Sequence, residues 1–109
     1  MNAEKKYLRV ARMSEIGERR SKLVRVDGEE IALWRVEGKI FAINNVCAHQ
    51  HAQALHQGIL SGLTVMCPRH GWTYSLETGI ATTGDGRIRT YAVKMVGEEI
   101  YIEEPLPAE

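Results

Sequence analysis

A chain of 109 residues is long enough for one modest domain and too short for several. Its 14 basic and 14 acidic side chains cancel, so no broad basic field is available to bind nucleic acid or a membrane surface. Two cysteines cannot build the disulfide scaffold of a small secreted protein. Residues 1–6 are followed by no apolar stretch, and we therefore expect no signal peptide, no membrane anchor and a cytoplasmic location.

Short β-branched or alternating runs, separated by glycine turns, predict strands in the first part of the chain. In chain order we expect a strand at 7–11, a helical turn at 14–16, and strands at 22–26, 31–36 and 39–43. Asp27-Gly28 and Glu37-Gly38 separate the last three strands. Both dipeptides tolerate the positive φ of a tight hairpin turn, which predicts two consecutive antiparallel hairpins.

Residues 44–83 break this rhythm and are rich in turns. The remaining predicted strands lie at 63–66, 73–75, 87–91, 93–96 and 100–102. No run of ten or more residues has a helical period, and the proline-containing tail at 105–109 is predicted to fray. The sequence thus predicts a single all-β domain over 1–109, in which a loop-rich subdomain at about 44–83 carries the chemistry.

Both cysteines and two of the four histidines fall into two mixed pairs. Cys47 and His49 are separated by one residue, and after a gap of 17 residues Cys67 and His70 are separated by two. A Cys47–Cys67 disulfide would leave the histidines without a role. A structural zinc site could use all four ligands, but zinc arms usually pair Cys with Cys and His with His at longer spacings. A two-iron, two-sulfide cluster with two Cys on one iron and two His on the other, the Rieske arrangement, fits better.

Charge counting indicates what such a cluster does. Two ferric ions, two sulfides and two thiolates sum to zero when the imidazoles are neutral, whereas a four-thiolate cluster carries two negative charges. Adding an electron to a neutral cluster in a low-dielectric pocket costs less than adding one to a dianion. Histidine ligation therefore raises the reduction potential, and the electron is expected on the histidine-bound iron.

The two pairs, together with CPRHGW at 67–72 and LETG at 76–79, resemble the Rieske ferredoxins over about residues 5 to 104. The resemblance implies three antiparallel sheets and one [2Fe-2S] cluster bound by the two cysteines and two histidines. It also implies electron carriage rather than catalysis, between a reductase upstream and an oxygenase or other reductase downstream. An accessory subunit of a larger oxidoreductase, such as a nitrite-reductase-like complex, and a structural zinc domain are the alternatives.

The chain differs from the high-potential Rieske proteins of cytochrome complexes. Ala52 and Arg69 stand where those proteins have disulfide cysteines, Trp72 replaces a serine that hydrogen-bonds the cluster, and residues 82–86 contain no proline. Fewer hydrogen bonds to sulfur leave the more negative reduced state less stabilised. We therefore expect a lower potential than in those proteins.

Four more residues are candidates for contacts with the ligands rather than for ligation: Gly71, Trp72, Tyr74 and His51. The Tyr74 hydroxyl can donate to a ligand cysteine sulfur and raise the potential; alternatively, Tyr74 is a core aromatic with its hydroxyl in water. Trp72 is predicted to pack over the ligand loop. His51 replaces a glycine of the family pattern, and it is either a loop residue or a neighbour of the cluster.

Overall fold

The computed structural model describes residues 6–46, 55–68, 71–83 and 86–105. The strands are β1 (Tyr7–Arg12), β2 (Ser21–Val26), β3 (Glu29–Val36), β4 (Lys39–Asn44), β5 (Ile59–Ser61), β6 (Thr64–Met66), β7 (Thr73–Ser75), β8 (Ala81–Thr83), β9 (Thr90–Tyr91), β10 (Val93–Val96) and β11 (Glu99–Glu103). Two 3₁₀ helices span Met13–Glu15 and Leu55–Gln57. The strands form three antiparallel sheets, ordered β1-β11-β10, β2-β3-β4-β9 and β5-β6-β7-β8, which confirms the predicted fold class.

Two tight hairpin turns build the central sheet. Asp27 and Gly28 have φ values of 51° and 83°, and Glu37 and Gly38 have values of 54° and 77°. Two successive positive φ values match the right-handed twist of the flanking strands. Each turn therefore places two residues between paired strand ends, as predicted.

Strand β3 is buried on both faces and divides the core into two clusters. Ile31 and Leu33 pack in one cluster, with residues of the β1-β11-β10 sheet. Ala32 and Trp34 point the other way, towards the β5-β6-β7-β8 sheet. This alternation follows from the two-residue period of a strand. Trp34 is a core residue, with only 4% of its surface exposed.

The β5-β6-β7-β8 sheet includes two strands that the sequence did not predict, β5 and β8. Unlike β6 and β7, neither strand contains a fully buried residue, so the sequence shows no apolar face at these positions. The predicted strand at 87–91 is wrong in its first half, because only Thr90–Tyr91 pairs with β4. Arg87 makes an isolated bridge with Ile80, and the Ile88 amide donates to the carbonyl of Gly79 instead of a strand neighbour. In the part of the chain that the structure describes, no helix is long and apolar enough to cross a membrane.

Gly79 allows the chain to pass between β7 and the segment before β9. Its φ is 78°, and a Cβ at this position would lie 2.0 Å from the Ile88 carbonyl oxygen. Gly62 has a similar φ of 60° but no heavy atom within 4 Å of the same point. Both glycines have a positive φ that other residues rarely adopt, but of the two only Gly79 would also place a side chain in a clash with backbone atoms.

We expect Gly79→Ala to destabilise the fold by about 3 kcal/mol or more, since left-handed strain and a backbone clash add. Gly62→Ala should cost about 1 kcal/mol, from the strain alone. Chemical denaturation of both variants measures this difference. Equal losses of unfolding free energy would contradict the steric argument.

Tyr91 is the buried tyrosine of the central sheet. Its hydroxyl donates to Glu29 Oε1 and accepts from Asn44 Nδ2 at 3.1 Å. Burial, followed by the hydrogen bond to Glu29, raises the pKa of Tyr91 from 10 to about 12. The neutral phenol is therefore favoured by the folded state.

The raised pKa of Tyr91 stabilises the folded state. This stabilisation is fully present below pH 10 and is lost as the pH rises towards 12, because the tyrosine ionises first in the unfolded chain. The loss should be on the order of 2 kcal/mol, from a shift of roughly two units. Tyr91→Phe should lack this component, so the gap between its unfolding free energy and that of the wild type should narrow above pH 10. If the unfolding free energies of the two proteins change in parallel from pH 9 to 12, Tyr91 does not contribute this pH-dependent stability.

Candidate metal centre

Of the four predicted ligands, the structure describes Cys67. Cys47, His49 and His70 lie outside the described residues, as does the candidate neighbour His51. Cys67 follows β6 and is fully buried, at 0% exposure. Its neighbours in the core cluster include Leu55, Val65, Tyr74 and Leu76. The cysteine of the second pair therefore lies in the apolar core rather than at the surface.

A tight turn follows Cys67 and leads into β7. The Cys67 carbonyl accepts from the Gly71 amide at 3.0 Å, and the Cys67 amide donates to the Trp72 carbonyl at 2.7 Å. Gly71 has a φ of 76° with open space around its Cβ position, so backbone conformation rather than packing requires glycine here. These bonds fix both ends of the segment that contains position 70.

Burial changes sharply within this turn. Cys67 is buried, whereas Pro68 and Gly71 are exposed. The chain therefore leaves the core directly after Cys67, and Gly71 also lies at the surface. Such a turn is suited to a centre with a buried thiolate side and a solvent-facing imidazole side.

Two of the candidate neighbours pack in the same core cluster. Tyr74 on β7 is 0% exposed, so its hydroxyl does not lie in water, and that alternative is wrong. Tyr74 and Cys67 belong to one cluster, which is compatible with the predicted contact to a ligand sulfur. Trp72 is half-buried and packs against the cluster, and its position over the ligand loop stays a prediction.

The sequence interpretation missed the residues that fix the ends of segment 47–54. Asn45 is fully buried, its carbonyl accepts from the Leu55 amide at 3.1 Å, and its Oδ1 accepts from the His56 amide at 2.6 Å. Asn44 Oδ1 accepts from the Val46 amide at 2.9 Å. The available signal was the Asn44-Asn45 pair at the end of a strand, since asparagine side chains readily bond nearby backbone groups.

The described part of the site fits an iron–sulfur centre. A thiolate buried among apolar side chains is costly unless a cation compensates its charge, and a ferric ion bound to Cys67 would do so. An oxidised cluster with two thiolates and two neutral imidazoles has no net charge, which suits an apolar pocket. A hydrophobic shell also limits water access and tunes the potential.

Comparison with known proteins agrees with this chemistry. The model of the Rieske [2Fe-2S] domain matches residues 6–99. The ferredoxin component of a naphthalene 1,2-dioxygenase system from Pseudomonas aeruginosa is 38% identical over 82 residues, which are 73% of this chain and 78% of that protein. The ferredoxin of carbazole 1,9a-dioxygenase from Nocardioides aromaticivorans IC177 superposes with a TM-score of 0.85 at 28% identity, over 91% of this chain and 98% of that one.

The comparisons also bear on the alternatives. A solved structure described as the small subunit of an NADPH nitrite reductase superposes with a TM-score of 0.82 over 89% of this chain and 97% of that one, but at 16% identity it shows the shared fold alone. The Rieske match favours the iron–sulfur interpretation over a structural zinc domain. The chain belongs to the Rieske [2Fe-2S] domain family, and it is an electron carrier whose cofactor is a [2Fe-2S] cluster.

Proposed function

We propose that this chain carries single electrons from a reductase to an oxygenase of the ring-hydroxylating dioxygenase type. In this proposal Cys47 and Cys67 bind the inner iron of the cluster, and His49 and His70 bind the outer iron. The observation that carries it is the change from a buried Cys67 to an exposed Gly71 within one turn. A centre built on that turn has one protected side and one side that a partner can approach.

The bound cluster supplies the one-electron redox step. The residues of this chain would hold it and limit access to it: Cys67 and Tyr74 are fully buried in one core cluster, and Trp72 packs against that cluster. Electrons are proposed to pass through the solvent-facing imidazole edges. Partners would therefore dock on the rim around residues 49–56 and 70–72, in small, short-lived contacts that are typical of redox proteins.

The choice of partners rests on relatives that are ferredoxin components of dioxygenase systems. We further propose that residues 1–109 form one Rieske domain, with the cluster-binding subdomain at about 44–83. The proposed location is the cytoplasm, where thiols remain reduced and available to iron. An accessory subunit of a nitrite-reductase-like enzyme is the second candidate, and isolation of a stable complex with such an enzyme would favour it over a shuttling carrier.

Removal of either proposed histidine ligand should abolish the normal cluster. Wild-type protein should contain two irons and two acid-labile sulfides per chain. In His49→Ala and His70→Ala both contents should fall to near zero, because the outer iron loses a ligand. Iron and sulfide analysis with visible absorption measures the change.

His51→Ala is the matched control, since it removes an imidazole from the same segment without removing a proposed ligand. It should keep both irons and both sulfides. Full cluster content in His49→Ala or His70→Ala, or loss of the cluster in His51→Ala alone, would show that the histidine assignment is wrong.

Tyr74 is proposed to raise the reduction potential. Its hydroxyl is buried in the cluster of side chains that surrounds Cys67. A hydroxyl that donates to a ligand sulfur stabilises the more negative reduced state more than the oxidised state. If the hydrogen bond stabilises the reduced state by about 1 kcal/mol more than the oxidised state, the potential rises by roughly 40 mV for a one-electron step.

Tyr74→Phe should therefore lower the midpoint potential by some tens of millivolts, on the order of 40 mV. Protein-film voltammetry or a spectroelectrochemical titration measures it. Tyr101→Phe, on β11 in the sheet remote from Cys67, is the control and should leave the potential unchanged. An unchanged midpoint in Tyr74→Phe rules out the proposed role.

A further inference from the structure

Asn45 is the one polar residue that is fully buried among residues 6–46, 55–68, 71–83 and 86–105. It lies directly after β4 and two residues before the proposed ligand Cys47. Buried polar groups are costly unless each is hydrogen-bonded. The partners of Asn45 therefore indicate why a polar side chain is present at this position.

The side-chain amide of Asn45 is held in one orientation. Oδ1 accepts from the backbone amide of His56 at 2.6 Å, and the His56 ring nitrogen Nδ1 lies 3.0 Å from the same oxygen. Nδ2 donates to Glu30 Oε1 at 3.1 Å. A backbone amide can only donate and a carboxylate can only accept, so the oxygen and nitrogen of the Asn45 amide cannot exchange places.

The backbone of Asn45 makes two further hydrogen bonds, one to Glu30 and one to Leu55, the residue before His56. Its amide donates to the Glu30 carbonyl at 2.9 Å, and its carbonyl accepts from the Leu55 amide at 3.1 Å. The Ser21 hydroxyl adds a bond from β2 to the His56 carbonyl at 2.5 Å. One residue thus joins the start of β3, the end of β4 and the 3₁₀ helix Leu55–Gln57.

These bonds close the segment that contains the first ligand pair. Asn45 and Leu55 lie on either side of this segment, and the bond from the Leu55 amide to the Asn45 carbonyl holds these two residues next to each other. Leu55 is fully buried in the core cluster that also contains Cys67. The closure therefore connects the first ligand segment to the cysteine of the second through shared packing.

We propose that Asn45 is a positioning residue for the cluster: its side chain fixes the end of the first ligand segment and so sets where Cys47 and His49 lie relative to Cys67. The inference rests on the proposed ligand set. Removal of the side chain leaves the partly buried His56 amide without its acceptor and frees the end of the segment. Groups that orient metal ligands typically change metal affinity by about 10- to 100-fold when they are lost.

The Asn45–Glu30 pair allows a polarity-swap experiment. Asn45→Ala removes both side-chain bonds, and Asn45→Asp places a second carboxylate against Glu30. Glu30→Gln keeps an oxygen that can accept from Asn45, and it loses only an ion pair with Arg25, whose side chain is 73% exposed. In Asn45→Asp/Glu30→Gln the bond re-forms in the opposite sense, from the Gln amide to the Asp carboxylate, and Asp still accepts from His56.

The measurement is the rate at which visible absorption bleaches when the loaded protein is mixed with excess iron chelator, at a temperature where circular dichroism shows every variant folded. Asn45→Ala and Asn45→Asp should lose the cluster at least about tenfold faster than the wild type. The bleaching rate of Glu30→Gln should stay within about twofold of the wild-type rate, and that of the double variant within about threefold. Hydrogen exchange of the Leu55 and His56 amides in the cluster-free protein should accelerate in Asn45→Ala.

Ile100→Ala is the control for general destabilisation, because Ile100 is fully buried in the other core cluster; Ile100→Val replaces it if the alanine variant does not fold. Its bleaching rate should stay within about twofold of wild type, since no group near the ligands changes. The proposal is overturned if Asn45→Ala bleaches no faster than this control, or if the double variant is as fast as Asn45→Asp. A wild type that binds no cluster would instead overturn the proposed function, and this inference with it.

Discussion

The apolar cluster that contains both Leu55 and Cys67 connects two parts of the chain that each carry a proposed ligand pair. A metal centre with ligands from two segments requires the segments to keep a fixed separation, and close packing of buried side chains provides this. Trp34 and Ala32 of β3 form the opposite wall of the cluster. The central sheet therefore supports the cluster-binding subdomain. The tight turns of that sheet contribute to the site only indirectly, because they hold β3 in place.

The site combines a dry interior with an accessible edge. Cys67 and Tyr74 are removed from water, while Pro68 and Gly71 are exposed only a few residues away. Low dielectric around the thiolates strengthens every electrostatic effect on the cluster, including hydrogen bonds to sulfur. In the proposed ligand set, histidines on the exposed side would shorten the path to a docked partner. Both requirements would be met by the proposed ligand set, in which each pair combines one cysteine with one histidine.

Much of the fold was predictable because its determinants are local. Asp27-Gly28 and Glu37-Gly38 specify their turns through backbone conformation, and the strands on either side have clear patterns. The [2Fe-2S] cofactor also followed from the spacing and chemistry of the two Cys/His pairs. By contrast, β5 and β8 each pair with the adjacent strand along the chain, but neither contains a fully buried residue, so no apolar face marks them in the sequence. Asn45 was missed for a different reason: its partners, Glu30 and His56, come from other segments, and only the folded chain brings them together.

The most direct test of the account is pulsed EPR of the reduced protein grown with ¹⁵N-labelled histidine and natural-abundance nitrogen elsewhere. The account predicts a paramagnetic [2Fe-2S] cluster with strong coupling to two ¹⁵N nuclei, one from each ligand pair, because the unpaired electron rests on the histidine-bound iron. Coupling to a single labelled nitrogen or to none, or a colourless protein that contains zinc instead of iron, would contradict it.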